Sequence, residues 1–355
     1  MSTAVAPRIQ IDAHAQKSTM ATMNAYERYM AVLDRKPVDF LPRIPILMQF
    51  AAEHIGSDYA AFASDYRVLT RANEVCAAEF GMDQLSCISD PYRETQGFGS
   101  QIKYVPDGPP HSTHPLSGTK DLSTLHKPDP LKSERMLDRV NAVRTYAAKH
   151  RGKYSIMGWV EGPAAEAADL RDVMNFLIDL MDDESFACEL MDLCVAVAID
   201  FARAQIEAGA DTIGVGDAIA SQVSPDVYES LIQPREKRLI AAIQKMGAKV
   251  RLHICGNITH LLPGIADLGV DILDVDHMVS MKTARDNVGT RVALAGNIDP
   301  ANGVMKGTPA SIRQKMRETY AEVGNPFLIN AGCEIPSRTP GENLKALCEP
   351  MNFRP

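Results

Sequence analysis

Three residues of this 355-residue chain have the types and the spacing of metal ligands. His253 and Cys255 stand in KVRLHICGN, whose β-branched and apolar residues predict a buried strand. Residues two apart on a strand point to the same side, so this imidazole and this thiol project into one space. Cys333 stands in FLINAGCEIP, a second run of the same kind. A plainer interpretation is that two buried cysteines and one histidine share a core of small residues.

The three side chains together favour a zinc site of the catalytic kind. Thiolate and imidazole are borderline-soft ligands that suit Zn²⁺, and three protein ligands leave the fourth tetrahedral position open. We therefore predict that His253, Cys255 and Cys333 bind one Zn²⁺. A barrel that keeps zinc for structure and has lost catalysis is an alternative, which the open position disfavours.

Composition excludes several classes of partner. The formal net charge of −8 argues against a nucleic-acid-binding or polybasic membrane-binding surface. The seven cysteines are scattered and odd in number, and the first residues lack the pattern of a signal peptide. No apolar stretch is long enough to span a bilayer. We expect a cytoplasmic protein with free thiols.

Eight short apolar runs with strand character alternate with helical patterns along most of the chain, which predicts βαβ units and a parallel sheet. The runs lie at 40–48, 83–90, 154–162, 210–218, 249–256, 270–277, 291–299 and 326–334. Eight units in one chain of this length favour a (β/α)₈ TIM barrel over an open doubly wound sheet. We predict a flexible N-terminal arm at 1–20 and one barrel domain at 21–355. An insertion at about 91–153, between strands 2 and 3, would lie over one mouth of the barrel.

Polar residues follow the predicted strands at the end where a barrel of this kind has its active site. Glu161 follows the third strand and Asp217 ends the fourth, and we predict these two as catalytic residues. The fifth predicted strand ends in His253 and Cys255, and the sixth ends in Asp276 and His277. The seventh ends in Asn297 and Asp299, and the eighth ends in Cys333 and Glu334. Capping of the next helix is the alternative role for each carboxylate.

Four segments carry a family resemblance. The chain resembles the uroporphyrinogen decarboxylase superfamily, and within it the zinc-dependent, corrinoid-linked methyltransferase branch. The resemblance lies in LHICGN, DILDVDHMVSMKTARDNVG, ALAGNIDP and NAGCEIPSRTPGENLKAL. It implies a (β/α)₈ barrel, zinc bound by His253, Cys255 and Cys333, and methyl transfer to or from the cobalt of a corrinoid. No Asp-X-His-X-X-Gly stretch is present, so we expect a separate corrinoid protein to carry the cobalamin.

Two directions of methyl transfer compete within that branch. GWVEGPAAEAADLR, with Glu161, is similar to members that move a methyl group from a small methylated substrate, such as an aryl methyl ether, to Co(I). We predict this O-demethylase type of methyltransferase. The alternative is transfer from a methylcorrinoid to a thiol of the coenzyme M type. Two thiolate ligands weaken zinc as a Lewis acid and favour thiol chemistry, but a neighbouring acid, Glu161 or Asp217, would offset this.

Uroporphyrinogen decarboxylase activity is a third alternative. Those enzymes carry an Arg-rich N-terminal segment that binds porphyrin carboxylates. The corresponding segment of this chain, PVDFLPRIPILMQF, offers only Arg43. The sequence therefore disfavours decarboxylation. It leaves open whether the protein forms a homodimer.

Overall fold

The computed structural model describes residues 22–354, and the predicted arm at 1–20 lies outside them. Seven strands form one parallel sheet, and they follow seven of the eight predicted runs in chain order. Those strands are β1 (Gln84–Ser86), β4 (Ser155–Glu161), β5 (Thr212–Gly216), β6 (Lys249–His253), β7 (Ile272–Asp274), β8 (Ala293–Ala295) and β9 (Phe327–Leu328). A separate antiparallel hairpin consists of β2 (Ile102–Val105) and β3 (Gly108–Ser112).

Helices occupy most of the sequence between these strands. The α-helices are α1 (Ala25–Leu33), α2 (Gln49–His54), α3 (Tyr59–Ser64), α4 (Tyr66–Phe80), α5 (Arg93–Gly97), α6 (Glu134–His150), α7 (Pro163–Arg171), α8 (Val173–Asp182), α9 (Glu184–Ala208), α10 (Pro225–Val227), α11 (Gln233–Lys245), α12 (Leu262–Ala266), α13 (Met281–Val288), α14 (Pro309–Val323) and α15 (Gly341–Leu347). Between 22 and 354, none of them is long and apolar enough to cross a membrane.

The predicted first strand, 40–48, is not a regular strand. Pro42 and Pro45 lack the N–H groups that a continuous ladder needs, so the segment pairs only at isolated points. Ile44 donates to the carbonyl of Ile329 at 2.8 Å, and Asp83 donates to the carbonyl of Arg43 at 2.8 Å. The segment therefore contacts the chain at both edges of the sheet, next to β1 and β9.

A buried ion network fixes this segment. The carboxylate of Asp83 is fully buried and contacts the guanidinium groups of Arg28 and Arg43, which are themselves nearly buried. Arg43 also donates its backbone N–H to Asp83 at 2.8 Å. One carboxylate thus connects α1, the segment 40–48 and the start of β1.

We expect Asp83→Ala to lower the free energy of unfolding by about 3–5 kcal/mol, because it leaves the buried guanidinium group of Arg43 without its carboxylate partner and removes one of the two carboxylates that Arg28 contacts. Urea denaturation followed by circular dichroism measures this change. Asp34→Asn is the matched control, since the ion pair of Asp34 with Lys36 is exposed and contributes little. A loss below about 1 kcal/mol in Asp83→Ala would contradict the assignment.

The predicted insertion at 91–153 is not confirmed as one unit. Helix α6, inside that range, packs against α4, α9 and β4, as a connecting helix between two parallel strands does. The hairpin β2–β3 packs against α3. The range therefore contains a connecting helix and a separate hairpin.

Candidate metal centre

The three predicted ligands lie together beyond the carboxyl ends of β6 and β9. His253 is the last residue of β6, Cys255 follows it by two residues, and Cys333 follows β9. His253 Nε2 lies 3.0 Å from Cys255 Sγ and 3.6 Å from Cys333 Sγ. The two sulfur atoms are 3.8 Å apart. All three candidate ligand atoms therefore lie within 4.8 Å of one another.

This spacing fits a tetrahedral zinc ion. Zn–S bonds of about 2.3 Å at a tetrahedral angle place two sulfur atoms about 3.8 Å apart, the separation of Cys255 and Cys333. It is far longer than the roughly 2.05 Å of a disulfide, and both cysteines are free thiols. Two sulfur atoms and one imidazole nitrogen are also the donor set that Zn²⁺ prefers. The residues present fit the predicted metal.

The electrostatics of the cluster favour a thiolate at Cys333, whereas His253 and Cys255 hold their protons more tightly. The hydrogen bond from the Cys255 thiol, with further help from His253, lowers the pKa of Cys333 to about 4. Burial lowers the pKa of His253, but its hydrogen bond to Cys333 and the charge of Asp274 outweigh this and raise the pKa to about 9. The hydrogen bond to Cys333, followed by burial, raises the pKa of Cys255. A metal ion that binds here would displace the protons of His253 and Cys255.

A fully buried network lies behind the imidazole. Asp274 Oδ2 is 3.5 Å from His253 Nδ1, and Arg251 holds the same oxygen at 2.7 and 3.1 Å. Asn330 donates to the other oxygen of Asp274 at 2.6 Å. A carboxylate behind a histidine ligand fixes the tautomer and the orientation of the ring. Asp274 is therefore placed to keep Nε2 of His253 directed at the two sulfurs.

We expect Asp274→Asn to weaken zinc affinity about 10–100-fold, because it removes the carboxylate that orients the His253 ring. Competition with a chromogenic chelator measures the dissociation constant. Asp286→Asn is the control, since Asp286 is an exposed residue on α13 that pairs only with Lys282. Equal zinc affinity in Asp274→Asn and the control would show that Asp274 has no role in positioning the ligand.

The cluster forms one end of a cavity of about 150 Å³. Most of the other lining residues are apolar, and they follow or end the strands on this side of the sheet. The apolar lining consists of Ile46, Met48, Ile88, Pro91, Trp159, Gly216 and Ala218. Three acidic residues, Asp90, Glu161 and Glu334, complete it. The sequence analysis did not single out Trp159 or Asp90, although both lie in runs that it assigned to strands.

Glu161 lies in the cavity with the three predicted ligands, as the sequence suggested. It is buried at the end of β4, where the indole N–H of Trp159 donates to its Oε1 at 2.7 Å. Burial, followed by the negative charge of Glu94, raises the pKa of Glu161 well above its usual range. The raised pKa makes Glu161 a candidate proton donor within the cavity.

The other two acidic groups of the cavity are engaged by the protein. Arg135 holds Asp90 through two hydrogen bonds of 2.7 and 2.8 Å. Glu334 accepts a hydrogen bond of 3.0 Å from the backbone N–H of Gln49 at the start of α2, and burial raises its pKa to about 7. Glu334 lies six residues beyond the end of β9, not at the end of a strand as the run 326–334 predicted, and nothing in the sequence indicated its contact with the start of α2.

Asp217 has a different position from the one predicted for a catalytic residue. Its carboxylate accepts hydrogen bonds from the backbone N–H groups of Ala165 at 2.6 Å and Ala164 at 3.3 Å, in the first turn of α7. It is fully buried and is not among the residues that line the cavity. The alternative that the sequence left open was capping of the next helix, whereas the helix that Asp217 caps is α7, which precedes it in the chain. The contact forms because β5 lies beside β4, the strand that leads into α7.

The polar residues after β7 and β8 do not line the cavity. His277, Asn297 and Asp299 line a separate cleft. Asp276 lies beside the cluster, where it accepts a hydrogen bond of 3.0 Å from the backbone N–H of Gly256, the residue after Cys255. The sequence placed all four after strands, but strand order in the sheet does not decide the direction of each loop.

The fold and site define a parallel α/β protein with a candidate metal centre at the carboxyl edge of its sheet. The family model for uroporphyrinogen decarboxylase (URO-D) matches residues 24–352, and the chain belongs to that family.

Curated relatives of two kinds match almost the whole chain. Methylcobamide:CoM methyltransferase MtbA of Methanosarcina mazei is 28% identical, over 92% of this chain and 98% of the relative. Methylcobamide:CoM methyltransferase MtaA of Methanosarcina barkeri is 27% identical, over 92% and 97%. Uroporphyrinogen decarboxylase of Psychromonas ingrahamii is 27% identical, over 92% and 96%. The solved structure of a methyltransferase from Methanosarcina mazei superposes with a TM-score of 0.84 at 26% identity, over 92% and 97%.

Proposed function

We propose that this chain is a zinc-dependent methyltransferase that moves a methyl group from a small, uncharged methylated substrate, such as an aryl methyl ether, to the Co(I) of a separate corrinoid protein. His253, Cys255 and Cys333 would hold the zinc, and Glu161 would act beside it. The corrinoid part of the proposal is supported by the names of the methylcobamide-dependent relatives and by the similar fold of the Methanosarcina methyltransferase.

The apolar cavity beside the His-Cys-Cys cluster is the observation that supports an uncharged substrate. Its volume of about 150 Å³ is that of an apolar cavity able to hold benzene. No lysine or arginine lines it among the residues described by the structure. A carboxylate, sulfonate or phosphate on the substrate would lose its hydration there without gaining a cation. The cavity therefore favours a neutral aromatic or aliphatic methyl donor.

Glu161 supplies what an ether reaction needs on the protein side. When the bond between the methyl carbon and the ether oxygen breaks, the electron pair stays on that oxygen, which then needs a proton. Glu161 is a buried carboxyl group with a raised pKa, and Trp159 fixes one of its oxygens. Bound zinc would act as a Lewis acid toward the same oxygen. The mostly apolar walls would reduce the solvation of the reacting groups, which would strengthen both interactions.

Transfer of a methyl group from a methylcorrinoid to a thiol is the second candidate. The two methylcobamide:CoM methyltransferases among the relatives favour it, and so does a donor set of two thiolates, which suits activation of a third thiol. Coenzyme M, however, carries a sulfonate, and the cavity presents Asp90, Glu161 and Glu334 where a cation would be needed. A thiol substrate of this chain would therefore be an uncharged one.

The same cavity disfavours the decarboxylase activity of other family members. A porphyrinogen with several carboxylates is much larger than about 150 Å³, and its charges need basic partners. Arg43, the basic residue of the early segment, is instead buried in its ion pair with Asp83.

We also propose that residues 21–355 form a single domain in which the segment 40–48 closes the sheet as an eighth, irregular strand. Its hydrogen bonds to Asp83 and Ile329, on either side, support this closure. A closed barrel would place the cavity at its C-terminal mouth, where such barrels bind substrates.

Two parallel assays test the direction of methyl transfer. In the first, zinc-loaded protein is mixed with a Co(I) corrinoid protein and a panel of methyl ethers, and formation of methyl-Co(III) is followed by absorbance. In the second, it is mixed with methylcobalamin and either 2-mercaptoethanol or coenzyme M. We expect methyl-Co(III) in the first assay. Demethylation of methylcobalamin only when a thiol is present would establish the second candidate, and release of CO₂ from uroporphyrinogen alone would overturn both.

A further inference from the structure

The indole ring of Trp159 lies in a slot made by two glycines of the neighbouring strand. Trp159 on β4 pairs with Gly214 on β5, and Glu161 pairs with Gly216. A Cβ atom added to Gly214 would come within 2.2 Å of the indole Cε3. One added to Gly216 would come within 2.7 Å of the indole Cζ2 and 3.1 Å of Glu161 Oε2.

Space, not backbone conformation, accounts for these glycines. Gly214 and Gly216 both lie within the regular ladder of β5, and neither has a positive φ. Any side chain at either position would displace the indole from the surface of the strand. The two glycines therefore let the largest side chain of the cavity wall lie flat against the sheet.

The slot decides where the indole N–H points. Trp159 is buried, it lines the cavity, and its Nε1 lies 2.7 Å from Glu161 Oε1. The donor and acceptor stand two residues apart on one strand, so both side chains face the interior. A ring that lies across Gly214 and Gly216 reaches along the strand to the carboxyl group of Glu161. That contact limits the positions that the carboxyl group can adopt beside the cluster.

We infer that Trp159 is a positioning residue, which is seated by Gly214 and Gly216 and which holds the carboxyl group of Glu161 toward the substrate in the cavity. The expected effect of Trp159 on the rate rests on the proposed methyl transfer. The hydrogen bond between Trp159 and Glu161 does not depend on that proposal. Trp159 acts through Glu161 and also provides the aromatic wall of the cavity. The two roles can be separated, because phenylalanine keeps the wall and loses the N–H group.

A double-mutant cycle tests the positioning role. We expect Trp159→Phe to lower kcat about tenfold, the value of one hydrogen bond, with little change in KM. In a Glu161→Gln background the same substitution should have almost no further effect, because the group that it misplaces is already inactive. Zinc content should be unchanged in every variant. An unchanged kcat in Trp159→Phe, or a full tenfold loss in the Glu161→Gln background, would overturn the inference.

The slot has its own test, because Trp159 is the single tryptophan of the chain and its fluorescence reports on this position alone. We expect Gly216→Ala to shift the emission maximum and to lower kcat about tenfold or more while zinc content stays the same. Gly118→Ala is the matched control, since its added Cβ meets no atom within 4 Å. An emission maximum and a rate equal to those of the wild type in Gly216→Ala would overturn the inference. If that variant fails to fold, the double-mutant cycle of Trp159 and Glu161 provides the test.

Failure of the proposed function would be distinguishable from failure of this inference. If the wild-type protein methylates a thiol, the same cycle is run on that reaction. If it shows neither reaction, the emission of Trp159 is compared between the wild type and Glu161→Ala. A shifted emission maximum would support the contact between Trp159 and Glu161, and an unchanged emission maximum would rule it out.

Discussion

Replacing Cys333 by alanine is expected to remove most of the bound zinc and to lower methyl transfer more than about 100-fold. Loss of a residue that merely supports a ligand already weakens metal binding about 10–100-fold, and loss of a thiolate ligand has the larger effect. His253 and Cys255 would remain on β6 and the loop after it, but two donors bind Zn²⁺ poorly. Elemental analysis of the purified variant, after dialysis against a chelator, measures the zinc content.

The matched control for this experiment is Cys188→Ala. Cys188 is a free thiol on α9 that packs against the hydrophobic core and takes no part in the cluster. We expect that variant to keep its zinc and its activity. Full zinc occupancy in Cys333→Ala would show that the three side chains share a core without binding metal, which is the plainer interpretation of the sequence.

Glu161→Gln is expected to lower the rate of the ether reaction by about 10² or more, because glutamine cannot give a proton to the departing oxygen. The amide is close in size to the acid and can still accept the hydrogen bond of Trp159, so folding and zinc content should be unchanged. The rate of methyl-Co(III) formation, measured with the same methyl ether and corrinoid protein, provides the comparison. A rate equal to that of the wild-type protein would return Glu161 to a structural role.

Asp217→Asn is the matched comparison for Glu161→Gln, because Asp217 is the other carboxylate that the sequence predicted as catalytic. Asp217 caps α7 and does not line the cavity, so its loss should lower the free energy of unfolding by about 1 kcal/mol with little effect on the rate. A rate loss in Asp217→Asn as large as that in Glu161→Gln would show that the cavity lining is a poor guide to which carboxylate acts. The two variants therefore test the placement of both predicted catalytic residues.

The direction of methyl transfer depends on the balance of charge around the cavity. Two thiolates lower the Lewis acidity of zinc and favour a thiol, whereas the absence of lysine and arginine from the described lining disfavours the sulfonate of coenzyme M. The relatives named for coenzyme M share less than a third of their residues with this chain. A change of substrate within a conserved fold is compatible with that distance, since a few lining residues decide which substrate is held.

The sequence by itself determined the parts of this protein that depend on short-range pattern. His253 and Cys255 were predicted to face one space, because a strand turns successive side chains to opposite faces. The seven buried strands were predicted from apolar runs. The segment 40–48 failed as a regular strand for an equally local reason, since Pro42 and Pro45 cannot donate to a ladder.

Only the tertiary structure decided which side chains meet. Asp217 and Glu161 look alike in sequence, each at the end of a strand. Asp217 nevertheless caps α7, which precedes it in the chain, because β4 and β5 are neighbours in the sheet, whereas Glu161 enters the cavity. The family resemblance had associated Cys333 with His253, but the contact joins residues 80 positions apart. It exists only because the parallel sheet places the carboxyl ends of β6 and β9 on the same side. The slot for Trp159 and the support from Asp274 likewise depend on neighbouring strands. Periodicity within one strand carries no information about the register or the side chains of the next.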